Sequence, residues 1–316
     1  MKINKDIASL ENSETITEIP LACCDELAAV EFLEKRLWKG EPRCYHCESR
    51  NVYQMKSKTG QRNKRFLWRC HDCKGQTSVR LGTVFEESRI QLRHWCYAFW
   101  RMATSKKGVS ALEIKRHTQI SYKSALFLMH RVRFGITQDP VGAMKMTGTV
   151  EADETYIGGK PRVGTGYHKR GRGTSKTPVL GIVQRDGNIH RRVVADVSAA
   201  TLKKAIRECV DTQARIITDE HLAYRGLGKE FAGGHETVNH GTREYARGDV
   251  WTNTAESSFA LIKRGLMGVY HAVSKKHLHR YLGEFDFRWN TRKMNDGQRT
   301  TLAIQSAMGK RLIMQP

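Results

Sequence analysis

The run Gly148-Thr149-Val150-Glu151-Ala152-Asp153-Glu154-Thr155-Tyr156-Ile157-Gly158-Gly159 crowds three carboxylates into a stretch otherwise built for a β-strand. Thr149, Val150, Tyr156 and Ile157 favour extended backbone, and the glycine pair closes the run. Alternate residues of a strand share a face. Glu151, Asp153 and Thr155 therefore point one way, and Val150, Ala152, Glu154 and Tyr156 the other. An acid in mid-strand is costly to bury unless a cation meets it. Position alone leaves two readings: a solvent-facing edge strand, or a central strand that presents a metal-binding carboxylate.

The residues that follow favour the second. Gly158 to Thr177 holds Lys160, Arg162, Lys169, Arg170, Arg172 and Lys176 among several glycines, a basic loop that cannot pack and that suits a phosphodiester substrate. Val179–Gln184 (VLGIVQ) reads as a strand, Asp186-Gly187-Asn188 as a tight turn, and Ile189–Asp196 as the second arm of a hairpin. Ser198 caps a helix through Leu202, Ala205, Ile206, Cys209 and Val210. Arg215–Thr218 is a short buried strand ending at Asp219-Glu220. The first strand carries Asp153 and the last ends in Asp219, which is the order of an RNase H fold, where two such carboxylates meet on adjacent strands.

A third acid is expected from a later helix, and Thr252 to Arg264 supplies one. Thr252 or Asn253 caps it, Ala255, Phe259 and Ile262 make its buried side, and Glu256 and Lys263, seven apart, share a face. Alone, this would be an ordinary amphipathic helix with a solvated acid. With the strand acids, Asp153, Asp219 and Glu256 make a set suited to two Mg2+ (or Mn2+) ions about 3.5–4 Å apart. Lys263 is then a companion that holds phosphate. Glu151, Glu154 and Glu220 fall outside the set and are expected to be neutral comparisons. Beyond it, a helix from Ser274 buries Leu278, Tyr281, Leu282, Phe285 and Trp289 and turns Lys275, Lys276, His279 and Arg280 outward. With Lys263 and Arg264 these form a track for a DNA backbone. His271, His277 and His279 share their spacing with no carboxylate or thiol, so packing is preferred to a second metal site.

Upstream, Cys44-Tyr45-His46-Cys47 and Cys70-His71-Asp72-Cys73 are two C-x-x-C knuckles about twenty residues apart, the spacing of one four-thiolate zinc site. The arm between them carries Lys56, Lys58, Arg62, Lys64, Arg65 and Arg69, a solvated and phosphate-facing edge. Pro20 to Lys39 reads as one helix with Leu27, Val30, Phe32, Leu33, Leu37 and Trp38 at helical spacing, and Cys23 and Cys24 as small core residues at its start. After Thr83 the chain turns helical: Leu92, Trp95, Phe99 and Met102 form a stripe with Cys96 beside it. Ser110 and Glu113 open a short helix as a capping box, Gln119-Ile120 makes a turn, and Ser121 opens another helix through Ala125, Leu128, Met129, Val132 and Ile136. This is a helix-turn-helix pattern that places Tyr122 and Lys123 at the start of a recognition helix, with Arg131 further along it.

The balance of 54 Lys+Arg against 32 Asp+Glu, a net charge of +22 over 316 residues, calls for a polyanionic partner, and nucleic acid is the default. No apolar run approaches the ~18 residues that span a bilayer, and Met1 to Ile16 is too polar for a signal peptide. A reducing, cytoplasmic setting is expected, with the 8 cysteines as thiols or metal ligands.

Taken in order, both knuckles, SKKGVSALEIKR, SYKSALFLMHRVR, VEADETYIGG, ITDEHLAYRGL, TNTAESSFALIKRG and GVYHAVSKKHLHRYLGEFDFRWNTR resemble the bacterial insertion-sequence DDE transposases of the ISXO type, from about Leu27 to Arg292. The resemblance implies an α/β chain: an RNase H-like catalytic domain preceded by a zinc ribbon and a helix-turn-helix. It implies that Asp153, Asp219 and Glu256 are the catalytic acids, Lys263 their basic companion, and Asn253 the fallback for the third acid. Cys44, Cys47, Cys70 and Cys73 would bind one structural Zn2+. Tyr122, Lys123, Arg131, Lys160, Arg264, Lys275 and Lys276 would contact DNA. The chain departs from relatives at Tyr45 and Glu48 in the first knuckle and at Ser257-Ser258 after the third acid. The expected division is a helical cap (1–40), ribbon (41–83), helix-turn-helix region (84–140), catalytic domain (147–300) and tail (301–316). The expected activity is cleavage at element ends and joining to target DNA, by a homo-oligomer assembled on duplex DNA in the nucleoid. A DNA-binding regulator that has lost chemistry, and a nuclease without strand transfer, are the alternatives; the intact acids and the two DNA-binding modules weigh against them.

Overall fold

The computed structural model describes residues 3–137, 145–159 and 174–312, with side chains from 14 onward. Lys160 and its basic neighbours Arg162, Lys169, Arg170 and Arg172, and most of the linker before the acidic strand, lie outside the described residues. The chain divides into two compact units, Met1–Ile136 with Arg292–Pro316, and Thr137–Thr291.

In the first unit, the helix expected from Pro20 is two helices. α1 (Ile3–Cys24) runs through Pro20, and α2 (Glu26–Trp38) starts afresh because the Asp25 side chain accepts the Ala28 N–H at 2.8 Å. Val30, Phe32, Leu33 and Leu37 are buried as their spacing demands, whereas Leu27 and Cys24 are exposed and do not join the core. A small antiparallel sheet follows, β1 (Val52–Gln54), β2 (Trp68–Cys70) and β3 (Gln76–Thr77). Three helices come next: α3 (Leu92–Thr104), α4 (Ala111–Thr118) and α5 (Tyr122–Ile136). Ser110 and Ser121 cap the last two, accepting the N–H of Glu113 and Ser124, each at 3.1 Å. Glu113 does not close the capping box; its carboxylate takes Arg101 at 2.7 Å instead.

The second unit is a five-stranded mixed sheet with helices packed on it. Its strands are β4 (Thr149–Ile157), β5 (Thr177–Gln184), β6 (Ile189–Val193), β7 (Arg215–Asp219) and β8 (His235–Val238), in the spatial order β6-β5-β4-β7-β8. The acidic strand β4 is thus central, antiparallel to β5 and parallel to β7. One face packs Val150, Ala152, Leu180, Ile182 and Ile216 against Leu202, Ala205 and Ile206 of α6 (Ala199–Cys209). The other packs Ile157 and Val179 against Phe259 and Ile262 of α7 (Asn253–Gly265) and Leu278, Tyr281, Leu282 and Phe285 of α8 (Leu278–Asn290). Burial of Arg191 is offset by Asp286 of α8, which accepts its side chain at 2.6 Å and its backbone N–H at 2.8 Å.

The tail expected after 300 is instead a helix, α9 (Asp296–Gln305), with Thr300, Thr301, Ala303 and Ile304 buried, and it belongs to the first unit. No helix among the described residues is long and apolar enough to cross a membrane.

Candidate active site and metal centre

Parallel pairing of β4 with β7 ends at Glu151↔Ile217. Asp153 and Asp219 each stand two residues beyond that pair, on neighbouring strands where their backbones part. Across β4, Asp153 faces Gly181, and a Cβ at Gly181 would lie 2.8 Å from the Phe259 ring. Glycine is needed there so that α7, which carries Glu256 and Lys263, can approach the sheet beside Asp153. The electrostatics record the convergence. Burial, then the charges of Glu154, Asp219 and Glu256, push the Asp153 carboxyl up to about 8, although the Glu154 N–H donates to it at 2.8 Å. Lys263 is pulled below the ordinary lysine range by burial and by Lys176, while Asp153 opposes the change. Glu256 lies on the exposed side of α7 with its Oε1 3.5 Å from Nδ1 of His240. Asn253, the first residue of that helix, is exposed. A half-buried acid whose carboxyl is raised by burial and by neighbouring acids is a site that a divalent cation would relieve.

The acids expected to be neutral comparisons are structural. Glu151 is fully buried. It accepts the N–H groups of Thr254 (2.9 Å) and Ala255 (3.0 Å), the Thr254 hydroxyl (2.9 Å) and Nε of Arg185 (2.8 Å). It therefore caps α7 from the sheet, at the helix end that favours negative charge. Arg185 continues outward to the carbonyls of Asp249 and Trp251 and stacks on the Trp251 ring. Glu154, on the opposite face of β4, accepts the Tyr224 hydroxyl at 2.6 Å. Glu220 accepts the N–H groups of His240 and Gly241. Neither Arg185 nor His240 was singled out by the sequence; the only signal for Glu151 was that it shares a strand face with Asp153.

Near the far end of β4, Ile157, Lys176, Val273, Lys275 and Leu278 help line an open cleft of about 410 Å³. Lys275 and Lys276 are exposed, in a single turn that precedes α8, and Nζ of Lys275 donates to the Ser175 carbonyl at 2.9 Å. Ser274 makes no capping bond there. Arg264 is exposed at the end of α7.

In the first unit, the ligand atoms of Cys44, Cys47, Cys70 and Cys73 all lie within 4.8 Å of one another. The Cys44–Cys73 and Cys47–Cys70 sulfurs are 3.4 and 3.7 Å apart. Four sulfurs tetrahedral about zinc at ~2.3 Å stand roughly 3.8 Å apart, so the set fits one zinc ion. Backbone N–H groups of Asp72 and Gly75 point at the sulfurs of Cys70 and Cys73. The basic edge of this ribbon loses one member: Arg62 forms a bidentate pair with Glu34 of α2 at 2.6 and 3.0 Å, and Nε1 of Trp68 donates to the same carboxylate. Tyr122 and Lys123 are exposed at the start of α5. Arg131 is not available to DNA. It is buried, and its guanidinium donates to the carbonyls of Val84 (2.8 Å), Glu86 (2.6 Å) and Leu312 (2.9 Å).

Residues 145–290 match the ISXO2-like transposase domain, and residues 24–76 match the transposase zinc-ribbon domain. A protein of Halobacterium salinarum, described as an uncharacterized protein in transposable element ISH50, is 31% identical over 280 residues, which is 83% of this chain and 90% of that one. The chain belongs to the ISXO2-like transposase family. It is a transposase of an insertion-sequence type, and its four-cysteine cluster lies inside the zinc-ribbon match and is arranged to hold zinc. Within the transposase, the ribbon match ends at Gln76 on β3, and the domain match spans β4 to α8, so all three proposed acids fall inside the latter.

Proposed function

We propose that this transposase cleaves DNA at the ends of its element and joins the freed 3′-hydroxyl to target DNA, with Asp153, Asp219 and Glu256 as the metal-binding acids of an RNase H-like domain. The sheet order, with a central acidic strand flanked by an antiparallel and a parallel neighbour, supports that fold. The observation that carries the reading is placement: Asp153 and Asp219 stand two residues past the last pair of adjoining central strands, and α7 packs against Gly181 beside Asp153, near enough for the Glu256 charge to bear on it. The three acids would hold two Mg2+ (or Mn2+) ions, which when bound supply Lewis acidity for the attacking and leaving oxygens. Oxygen donors alone suit these hard cations.

In the first reaction the oxygen of water forms a bond to phosphorus, and the strand's 3′-oxygen leaves and takes a proton. In the second, that 3′-hydroxyl attacks a target phosphodiester, and one P–O bond replaces another. No covalent intermediate on the protein is needed. Lys263, close enough to Asp153 for the two charges to interact, holds a phosphate oxygen of the scissile strand. Arg264, Lys275 and Lys276 carry the flanking backbone, joined by Lys160. Tyr122 and Lys123 read the terminal repeat, and the ribbon contributes backbone contacts. Pairing two element ends requires more than one catalytic unit, so a homo-oligomer assembled on DNA in the nucleoid is part of the proposal.

The test is incubation of the full chain with labelled element-end DNA and Mg2+. Cleaved and joined products are expected. Asp153→Ala, Asp219→Ala and Glu256→Ala should each lower both by about 10²–10³-fold or more with end binding retained, a loss typical of removing a group that stabilises the transition state. Cleavage surviving in Asp153→Ala would overturn the assignment.

A further inference from the structure

The connection between β8 and α7 lies between Asp219 of β7 and Glu256 of α7 in the chain, and the chemistry above leaves it unused. After β8 the chain makes one tight turn, His240–Thr242, in which the Asn239 side chain accepts the Thr242 N–H at 3.2 Å. Glu220, the residue after Asp219, clamps this turn by accepting the N–H groups of His240 (3.0 Å) and Gly241 (3.3 Å). The clamp sets the His240 ring against the third acid, Nδ1 being 3.5 Å from Oε1 of Glu256. A carboxylate can only accept, so this 3.5 Å contact closes into a hydrogen bond where Nδ1 carries the ring proton. The other ring nitrogen, Nε2, lies 3.4 Å from the hydroxyl of Thr252. Thr252 is the residue before α7 and is buried, yet its side chain makes no capping bond. Glu151 already satisfies the helix amides of Thr254 and Ala255, which leaves the Thr252 hydroxyl to meet the imidazole. The ring is thus held on both sides and by its own backbone, and the side chain it touches is the one acid of the three that stands on an exposed helix face, with 45% of its side chain accessible.

We propose that His240 is a positioning residue that fixes the Glu256 carboxylate for divalent-metal binding, with Glu220 and Thr252 holding His240 in turn. An exposed glutamate has several staggered rotamers of similar energy, and a donor on one oxygen selects among them. Partners of this kind, one step removed from a metal, typically change metal affinity 10–100-fold when removed. The inference rests on the reading of Glu256 as a metal-binding acid.

The experiment uses the full, zinc-loaded chain and Mn2+ alone as probe. Binding is followed by calorimetry for His240→Ala, His240→Asn, His240→Gln and Glu256→Gln, beside the Mg2+ concentration that half-saturates end cleavage. In asparagine the side-chain N–H reaches the place of Nδ1, whereas in glutamine it reaches that of Nε2. His240→Ala is expected to weaken Mn2+ binding about tenfold and raise the Mg2+ requirement in step, with most of the rate restored at saturating Mg2+. His240→Asn should recover most of the affinity and His240→Gln should not. Added to Glu256→Gln, His240→Ala should cause no further loss. Unchanged affinity in His240→Ala, or equal impairment of the Asn and Ala variants, would overturn the proposal while leaving Glu256 in place. If Glu256→Gln itself keeps full Mn2+ binding and cleavage, the active-site reading falls, and the proposal with it.

Discussion

Asp153 and Glu151 share one face of one strand and have opposite fates. Burial and neighbouring acids raise the Asp153 carboxyl to about 8, whereas an aspartate in the unfolded chain titrates near ~3.9. The folded protein therefore holds a proton that the unfolded chain releases above about pH 4. Its stabilising contribution is full below that point and is lost as pH rises toward about 8. Without added Mg2+, the Tm of the wild-type chain should fall across that window relative to Asp153→Asn, and the gain in Tm from Mg2+ should be larger at pH 8 than at pH 6. Calorimetric melting of both proteins from pH 5 to 8 checks this; parallel curves would refute it. Glu151 is stabilised by Arg185 and by two helix amides. Glu151→Ala should cost about 3–5 kcal/mol, since it strands a half-buried guanidinium and a helix end, and urea unfolding of the full chain measures it. Asp153, Asp219 and Glu256 are proposed from strand order and helix phase, which local pattern carries. The role of Glu151 is not legible there, because its partners lie 34 and 103 positions away, and local pattern carries no trace of them.

At the scale of elements, periodicity predicted α3, α5, α6 and α7 together with their buried faces, and the knuckle spacing predicted the zinc cluster. It failed for charged residues that share a buried face. Arg131 is three positions after Leu128 and four after Phe127, whose ring it covers at 4.7 Å, so helical phase alone placed it inward. Its positive charge suggests a DNA contact, but its acceptors are carbonyls 45 to 181 residues distant. Lys123, at the exposed start of the same helix, has the opposite disposition. Lys123→Ala should lower affinity for element-end DNA and make the salt dependence shallower by about one unit, with Tm unchanged. Arg131→Ala should lower stability by about 1–3 kcal/mol through unsatisfied buried carbonyls and leave the salt slope as it was. A salt titration beside a thermal melt of each variant separates the two, and a slope change in Arg131→Ala would return that arginine to the DNA surface.

Over the whole molecule, the order of modules along the chain does not give the order of its compact units. The sequence suggested a catalytic domain to 300 and a tail, because Asp296–Gln305 is short, polar and without a strong apolar stripe. What holds α9 is a set of small contacts with residues far away in the sequence. The Thr301 hydroxyl meets that of Thr15 at 2.9 Å, Gln305 donates to the Arg36 carbonyl, and Ala303 and Ile304 are fully buried. Past the helix, the Ala307 carbonyl accepts from Val84, Lys310 donates to the Gly135 carbonyl at 2.6 Å, and Leu312 receives Arg131. The last residues thus close the same unit that the first helices open, and they supply acceptors or donors to α2, α5 and the segment before α3. A chain ending at Lys293 would strip those partners away together, whereas Thr137–Thr291 form a compact unit of their own. Limited proteolysis of this truncation should spare the second unit, with cleavage throughout 1–136, while the full chain resists in both units. Equal resistance of 1–136 in the two proteins would show that α9 merely rests on the unit it is here held to complete.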